Sequence, residues 1–263
     1  MKLPSLAAAV ALATVASASQ AAAISSFSFN TTGGFLNDGG ATCNVAADPG
    51  CDLRFYNGVD PSYHGVAWGQ VVPAAQSHLD ITHYSGDVVV NSGSWTNIDQ
   101  FNHTNNVIPV TSSSWFMNHV NVSGLLTFPS FPGPPPFPEH AYGATYGLTF
   151  LETPNVDTCA QLDPSGSHCD DYFVTQALQG VQDIYTDVDG AHYILELRYA
   201  AGDNATVYEL PGSMIGIYTA EGKTSTIYTQ ARITSTVDEP GILALFGLGL
   251  FGVAIARRRN PKA

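Results

Sequence analysis

A group of acidic residues is the first candidate for chemistry, because carboxylate oxygens are the ligands that Ca²⁺ prefers. Asp170 and Asp171 directly follow Cys169, and Asp187 opens a D-x-D-G step in the stretch DIYTDVDGAH. The calcium loop of EF-hands begins in the same way, but its twelfth position, counted here from Asp187, is Arg198 and not a glutamate. The step therefore favours a hairpin turn. The three aspartates stay candidates for a weak Ca²⁺ site if the fold brings them together.

Histidine is a common metal ligand, and the chain has eight histidines. In the stretch HLDITH, alternation along a strand places His78 and Asp80 on one face and His83 on the other, so the two histidines do not share an ion. In FNHTNNVI, His103 lies among short polar side chains, which are typical of a hydrogen-bonded turn at a strand edge. The histidines therefore predict no metal centre.

Sequence motifs of catalysis are missing from the chain. It contains no G-x-S-x-G, no H-E-x-x-H and no P-loop. Hydrolysis of a glycoside needs two facing carboxylates, and the 22 acidic residues offer many pairs without singling one out. We therefore predict no catalytic residue, no cofactor beyond the weak Ca²⁺ candidate and no enzymatic activity.

The three tryptophans, Trp68, Trp95 and Trp115, raise a different possibility. Exposed indole rings stack on sugar rings, which would make the chain a carbohydrate-binding module. The alternative is that one or two of them fill the hydrophobic core. Two tryptophans side by side on an open face would favour binding, and burial of all three would count against it.

Cysteine usage indicates an oxidising compartment. The four cysteines form two local pairs, in the stretches CNVAADPGC and CAQLDPSGSHC. We expect the disulfides Cys43–Cys51 and Cys159–Cys169, although four cysteines allow three pairings. Neither pair has the C-x-x-C spacing that favours zinc.

The elements that would position these residues are strands. Short runs rich in Val, Ile, Tyr, Phe and Thr recur from residue 24 to residue 236, bounded by Gly, Asn, Asp and Pro. In HYILELRY, for example, Tyr193, Leu195 and Leu197 face one side. Hairpin turns are predicted at Asp189-Gly190 and at Glu221-Gly222. Ten or more strands without helices predict an all-β fold, an antiparallel β-sandwich resembling a jelly roll.

Charge excludes one class of partner. Residues 24 to 239 hold four Lys and Arg against all 22 Asp and Glu, a net charge of −18. Such a surface repels nucleic acid and anionic lipid, so we expect no nucleic-acid partner. The few cations of the chain lie mostly in its two ends.

The N-terminal end, residues 1–23, has the features of a secretory signal peptide. Lys2 is followed by the short apolar run Leu6 to Val15 and then by A-x-A steps, so we expect a signal helix that is cleaved near Ala23. A signal of this kind predicts export through the Sec machinery.

The C-terminal end, residues 237–263, reads as a sorting and anchor segment. Asp238, Glu239 and Pro240 precede the charge-free apolar run 241–256, and a basic tail, 257–263, closes the chain. As a single transmembrane helix the run would span about 24 Å, short of the roughly 30 Å of a hydrocarbon core, which favours transient contact with the inner membrane. Arg257, Arg258 and Arg259 would stay cytoplasmic by the positive-inside rule.

This end resembles the sorting signal of PEP-CTERM proteins, in which a Pro-Glu-Pro step precedes an apolar run and a basic cluster. Asp238 stands where the family has its first proline, whereas Glu239 and Pro240 match. The resemblance implies recognition by an exosortase, processing near the Glu-Pro step and delivery to the surface of a Gram-negative bacterium.

The body is similar to the THxN group of these proteins, whose naming motif is Asn102-His103-Thr104-Asn105 here, with its first residue changed. The resemblance implies architecture and localisation and supplies no reaction. We therefore expect a structural or adhesive protein of the cell surface or the exopolysaccharide matrix. A carbohydrate-binding module is the first alternative, and a polysaccharide hydrolase is the second. The matching stretches are VAWG (66–69), QSHLDI (76–81), FNHTNNVI (101–108), LTFLETPN (148–155) and CDDYF (169–173).

Overall fold

The structure, a computed structural model, describes residues 24–39, 41–43, 52–69, 76–106, 114–129, 140–152, 170–178, 182–186 and 191–236. These ranges contain fifteen β-strands and no helix, so no described helix has the length and apolar character needed to cross a membrane. The chain divides into a larger unit, residues 24–182 and 195–233, and a smaller unit, residues 1–23, 183–194 and 234–263. The predicted signal helix and the predicted transmembrane run lie outside the described residues.

The strand bounds follow the chain without a helical interruption in the described ranges. They are β1 Ser26–Leu36, β2 Thr42–Cys43, β3 Arg54–Val59, β4 Ser62–Trp68, β5 Ser77–His83, β6 Ser85–Val89, β7 Thr96–Thr104, β8 Ser114–Phe128, β9 His140–Glu152, β10 Asp171–Gln176, β11 Gln182–Thr186, β12 His192–Ala201, β13 Ala205–Leu210, β14 Met214–Thr219 and β15 Thr224–Thr236.

Alternation of buried and exposed residues explains why these segments form strands. In β15, every second side chain from Ser225 to Ile233 is buried while the residues between them are partly exposed. β12 buries Tyr193, Leu195 and Tyr199 and leaves Arg198 exposed. A period of two presents one apolar face per strand, and pairing with neighbours then satisfies the backbone.

In the larger unit, the strands follow the order β12-β15-β7-β5-β4-β1-β8-β9-β10-β14-β13. Off this path, β2 pairs with β8, β3 with β4, and β6 with β1. The pairing is antiparallel, with Ile227 of β15 opposite Phe101 of β7, for example. In the smaller unit, β11 is hydrogen-bonded to β12, and the rings of Tyr185 and Tyr193 lie 5.7 Å apart.

The core of the larger unit lies inside a curved sheet. Buried side chains from strands far apart in the sheet order, such as Ile227 of β15 and Ile217 of β14, belong to one cluster. Its centre is Trp68, which is fully buried with its ring 4.8 Å from that of Phe150. A flat sheet could not bring these strands to a common core, so the sheet curls into a half-barrel. The cluster comprises Phe35, Val66, Trp68, Leu79, Ile81, Phe101, Val120, Val122, Leu148, Phe150, Phe173, Tyr199, Ile215, Ile217 and Ile227.

The predicted all-β antiparallel architecture is confirmed, but one continuous sheet takes the place of the two stacked sheets of a jelly-roll-like sandwich. Several strands are long, and the backbone hydrogen bonds between neighbouring strands continue through the curved sheet. β1 passes so close to its neighbour that a Cβ built on Gly33 would lie 2.1 Å from the Ser123 carbonyl oxygen. Gly33 has a φ of 140°, which glycine adopts readily and other residues rarely do. Gly33 therefore permits the close approach of β1 to β8, where the side chain of another residue would clash with the backbone of β8.

The predicted hairpin at Glu221-Gly222 is wrong. β14 lies between β10 and β13, whereas β15 lies between β12 and β7, so the two strands are not neighbours. The connection from Ala220 to Lys223 instead crosses from one half of the curved sheet to the other. This crossing places Glu221 beside residues that are distant in sequence.

Candidate functional sites

The crossing between β14 and β15 forms a site that we call the acidic pocket, defined by Asn105, Asp170, Asp171 and Glu221. Asp171 begins β10 and is opposite Thr219, the last residue of β14. Asn105 follows β7 directly, and Glu221 lies within the crossing itself. Three separate parts of the chain therefore meet here: the residue after β7, the start of β10 and the crossing after β14.

Hydrogen bonds between these segments fix the position of the acidic pocket. The Asn105 backbone N–H donates to the Lys223 carbonyl over 2.9 Å, and its side-chain Nδ2 donates to the Thr219 carbonyl over 3.4 Å. The Thr219 hydroxyl lies 2.9 Å from Nδ1 of His103. Asn105 and Asp171 are both almost completely buried, with 1% and 0% of their surface exposed.

Acceptors outnumber donors in the acidic pocket. Both carboxylate oxygens of Glu221 and the side-chain oxygen of Asn105 are buried and lack a hydrogen bond of ordinary geometry. Burial, followed by the charge of Asp171, raises the pKa of Glu221 to about 8. Asp170 adds to this rise, whereas the Asn105 side-chain amide opposes it as a hydrogen-bond donor. A carboxylate held among other acceptors is costly to ionise, because each neighbour repels the charge that it gains.

An open cavity continues from the acidic pocket to the surface. Asp170 and Glu221 lie on its wall with Lys223, and the remaining lining residues are Asn204, Ala205, Thr206 and Ala220. Lys223 makes no ion pair within 4.0 Å among the described residues. A small ligand could therefore reach Glu221 from solvent.

The structure brings together two of the three aspartates that the sequence offered for Ca²⁺. Asp170 and Asp171 contribute to the acidic pocket, whereas Asp187 lies outside the described residues. Among the described residues, no group of three or more His, Cys, Asp and Glu side chains is placed to hold a metal ion. Sequence reasoning missed Glu221 and Asn105, because it treated the first as a hairpin residue and the second as part of a surface turn.

The histidine of FNHTNNVI lies in the core. His103 is fully buried, and its ring stacks on Trp68 with centroids 5.4 Å apart and an interplanar angle of 17°. Burial, followed by the charge of His78, lowers the pKa of His103 to about 3, so the ring is neutral at physiological pH. Trp68 is therefore closed to any sugar.

Trp95 is the half-buried tryptophan among those whose side chains are described; the side chain of Trp115 lies outside that description. The guanidinium carbons of Arg198 and Arg232 lie 4.2 Å and 4.6 Å from the centre of the Trp95 ring. Arg232 is paired with Glu196 at 2.7 Å, and Arg198 donates to the amide oxygen of Gln230 at 2.9 Å. These residues form a basic aromatic patch, defined by Trp95, Arg198 and Arg232, on a strongly acidic protein.

A second polar group, the half-buried His83 network, lies on β1, β5 and β7. Nδ1 of His83 is 2.7 Å from Oδ1 of Asp99, and the Thr31 hydroxyl donates to the same oxygen over 2.7 Å. Nε2 of His83 lies 3.3 Å from the Gly33 carbonyl oxygen. Burial alone would lower the pKa of His83, but the hydrogen bond and charge of Asp99, aided by Gly33, outweigh it and raise that pKa. Asp99 thus lies beside donors, which favours a structural role for the network.

Several predicted sites lie outside the described residues. They are the sorting residues Asp238, Glu239 and Pro240, the arginines Arg257, Arg258 and Arg259, and the cysteines Cys51, Cys159 and Cys169. Only the backbone of Cys43 is described, and no disulfide was found among the described residues. The two disulfides therefore stay predictions.

Comparison with protein-family models identifies the C-terminal end. Residues 239–259 match the PEP-CTERM protein-sorting motif, which confirms the resemblance drawn from the Glu239-Pro240 step, the apolar run and the arginines. The match does not reach into the body, so the similarity to the THxN group stays a prediction. No curated protein and no solved structure matches this chain significantly.

Proposed function

We propose that this chain, whose residues 239–259 carry the PEP-CTERM protein-sorting motif, is an exported protein that an exosortase sorts to the cell surface of a Gram-negative bacterium. The motif match carries the proposal, since this kind of signal implies sorting by exosortase. The body then acts as a structural or adhesive module of the surface or the exopolysaccharide matrix.

Each end has a separate physical task in this proposal. Residues 1–23 direct the chain to the Sec machinery, and Glu239-Pro240 is the recognition element for processing. The apolar run 241–256 holds the chain briefly at the inner membrane, because its length of about 24 Å is short for lasting residence. The three arginines then keep the terminus on the cytoplasmic side.

The position of the motif supports this division of labour. β15 ends at Thr236, so all fifteen described strands precede Glu239. Cleavage near the Glu-Pro step would release the body without removing any residue of the sheet. With a net charge of −18 over residues 24 to 239, the released body would also be repelled by anionic lipid surfaces.

Finer assignments belong to the same proposal. We place the chain in the THxN group on the stretches around Asn102-His103-Thr104-Asn105, and we assign disulfides Cys43–Cys51 and Cys159–Cys169 to the exported form. We also propose that it is not an enzyme. Asp171, one of the three carboxylates of the acidic pocket, is fully buried, which keeps it from a polysaccharide chain.

Binding of carbohydrate is the second candidate, and the basic aromatic patch favours it. Trp95 is partly exposed, and the guanidinium groups of Arg198 and Arg232, which lie over its ring, suit a carboxylated sugar. Trp95→Ala should abolish retention on an acidic polysaccharide column, whereas Arg54→Ala, at an exposed arginine elsewhere, should leave retention unchanged. Equal retention of both variants would remove this candidate.

The sorting proposal is tested in the native host by fractionation and intact-mass analysis. Replacing Glu239 and Pro240 by alanine should leave a larger form that stays in the membrane fraction. The matched control replaces Glu209 and Pro211, an acid and a proline at the end of β13, and should be processed like the parent. If the motif variant has the parent's mass and location, the sorting proposal is wrong.

A further inference from the structure

The outward face of the neighbouring strands β12, β15 and β7 carries amide, hydroxyl and guanidinium side chains. On β15, four partly exposed residues alternate with the buried ones and point outward: Thr226, Tyr228, Gln230 and Arg232. The register places Asn102 of β7 opposite Thr226, and Gln100 opposite Tyr228. From Thr226 to Arg232 the strand spans about 20 Å at roughly 3.3 Å per residue, so this face suits an extended ligand better than a single sugar ring.

One chain of side-chain hydrogen bonds crosses this face near the basic aromatic patch. Nε of Arg198 donates to Oε1 of Gln230 over 2.9 Å, and Nε2 of Gln230 donates to Oδ1 of Asn97 over 2.8 Å. The chain therefore connects β12, β15 and β7. Its amide oxygens accept within the protein, whereas Nδ2 of Asn97 donates to no described residue.

A second chain of hydrogen bonds lies further along β7. The Tyr84 hydroxyl donates to Oε1 of Gln100, and Nε2 of Gln100 donates to Oδ1 of Asn102 over 2.7 Å. The Thr226 hydroxyl donates to the same Asn102 oxygen over 3.3 Å. Among the described residues, Nδ2 of Asn102 again has no acceptor. Donors are therefore left in excess on this face, which suits a ligand rich in oxygen acceptors.

The charge of this face differs from that of the acidic body. β15 has no acidic residue in its 13 positions, and Arg198 and Arg232 are two of the four cations in residues 24 to 239. Glu196 pairs with Arg232 at 2.7 Å, whereas Arg198 forms no ion pair among the described residues. The guanidinium carbons of both arginines lie over the Trp95 ring, 4.2 Å and 4.6 Å from its centre. One cation without a carboxylate partner is therefore held at a fixed place on the face.

We propose that this donor face, defined by Asn97, Asn102, Arg198 and Tyr228, binds an acidic polysaccharide chain that runs along β15. Arg198 pairs with a sugar carboxylate, and the amide nitrogens of Asn97 and Asn102 donate to sugar oxygens. Tyr228 is half-buried against Gly202 and offers its ring to the apolar side of a sugar. The inference rests on the second candidate of the proposed function and extends it from the basic aromatic patch to a site for several sugars.

Charge also selects the kind of polysaccharide. A neutral chain would leave Arg198 without a counterion. A chain with a carboxylate on every residue would meet Asp80, which lies opposite Asn102 on β5. Nucleic acid, with a charge on every phosphate, would be repelled by the net charge of −18 over residues 24 to 239. The ligand class that fits is a polysaccharide in which acidic sugars alternate with neutral ones.

Isothermal titration calorimetry of the full chain with a hyaluronan hexasaccharide, in which every second sugar is acidic, tests the proposal in about 150 mM NaCl. We expect one site per chain and about tenfold weaker binding in Tyr228→Ala. Tyr208→Ala, at a half-buried tyrosine on β13, should bind like the parent. The neutral chitin hexasaccharide should also bind about tenfold more weakly than hyaluronan. The proposal is overturned by equal binding of the two sugars, by equally tight binding of polyglutamate, or by no binding of hyaluronan.

A third variant separates this inference from the candidate on which it rests. Trp95→Ala removes the ring that holds Arg198 and Arg232, so it should also lose hyaluronan binding. If Trp95→Ala loses binding while Tyr228→Ala binds like the parent, the basic aromatic patch acts alone and the extended site is wrong. If both variants bind like the parent, the second candidate fails as well.

A gain of affinity keeps the test independent of folding defects. Thr226→Lys adds a cation at the far end of the donor face and should tighten binding of the hyaluronan hexasaccharide about threefold, with no gain for the chitin hexasaccharide. Thr145→Lys, at an exposed threonine on β9, is the control and should leave both affinities unchanged. Equal gains from the two lysines would mean that hyaluronan responds only to total charge, and that result would refute the site.

Discussion

The His83 network and the acidic pocket are both polar groups in the interior of the larger unit, yet they are built in opposite ways. In the first, Asp99 accepts from Thr31 and is paired with His83, so the carboxylate meets donors. In the second, Glu221 meets further acceptors, and burial with the charge of Asp171 raises its pKa to about 8. A network in which carboxylates meet donors stabilises a fold. A buried carboxylate that lies among other acceptors lowers the free energy of unfolding.

Removing a carboxylate from each region tests this difference. The largest change in the free energy of unfolding is expected at Asp99. Asp99→Ala leaves His83 without its ion-pair partner and should reduce the free energy of unfolding by about 2 to 3 kcal/mol at pH 6. Urea denaturation followed by circular dichroism measures the change. Asp87→Ala, on the exposed edge of β6, is the control and should change stability by less than about 0.5 kcal/mol. A loss at Asp99 no greater than at Asp87 would mean that the network is not structural.

The second prediction concerns Glu221, where removal of the carboxylate should increase the free energy of unfolding. Glu221→Gln should raise the free energy of unfolding by about 1 kcal/mol at pH 9 in EGTA, after discounting for partial exposure. The reason is the raised pKa of Glu221, since an acid whose folded pKa of about 8 exceeds its unfolded value loses stability as pH rises through that range. At pH 4, below the unfolded pKa of about 4.5, the same substitution should be nearly neutral, and its effect should grow as the pH rises from there to about 8. A destabilised variant at pH 9 would show that the carboxylate of Glu221 has found donors after all.

The smallest effect concerns the pH dependence of the His83 network. Because the folded pKa of His83 is raised above its unfolded value, the protonated ring contributes stability below the unfolded pKa of about 6.5. That contribution is lost as pH rises through the folded pKa, and screening keeps it under about 1 kcal/mol. Unfolding measured from pH 5 to pH 8 should show this loss in the parent and a flatter profile in His83→Gln. Identical profiles would contradict the assignment.

Local patterns predicted the strands but not the way they assemble. Alternation in β12 identified the buried face that includes Tyr193 and Leu195, because a period of two is visible within a few residues. The continuous sheet depends instead on pairing between distant segments and on the close approach at Gly33. The turn at Glu221-Gly222 had the residues of a hairpin, yet nothing local states which strands a turn connects.

The candidate sites also divide into those that the local sequence identifies and those that only the fold brings together. The C-terminal motif was recognised from sequence, since an enzyme that reads a linear signal needs only the order of residues in Glu239-Pro240, the apolar run and the arginines. Asp170 and Asp171 were identified, but their partners Asn105 and Glu221 come from distant strands. Trp68 and Trp95 were equivalent in sequence, and only the fold separates a core side chain from a surface one.

The place of β15 in the sheet has a mechanical consequence. This strand lies between β12 and β7, and its last residue, Thr236, immediately precedes the sorting segment. Tension applied at that end would run along the strand, at right angles to its ladder of hydrogen bonds. The backbone hydrogen bonds of β15 to β12 and β7 would then be loaded together in shear and would not break one after another. A body attached to a surface through this terminus would be pulled in the direction in which its sheet resists unfolding most strongly.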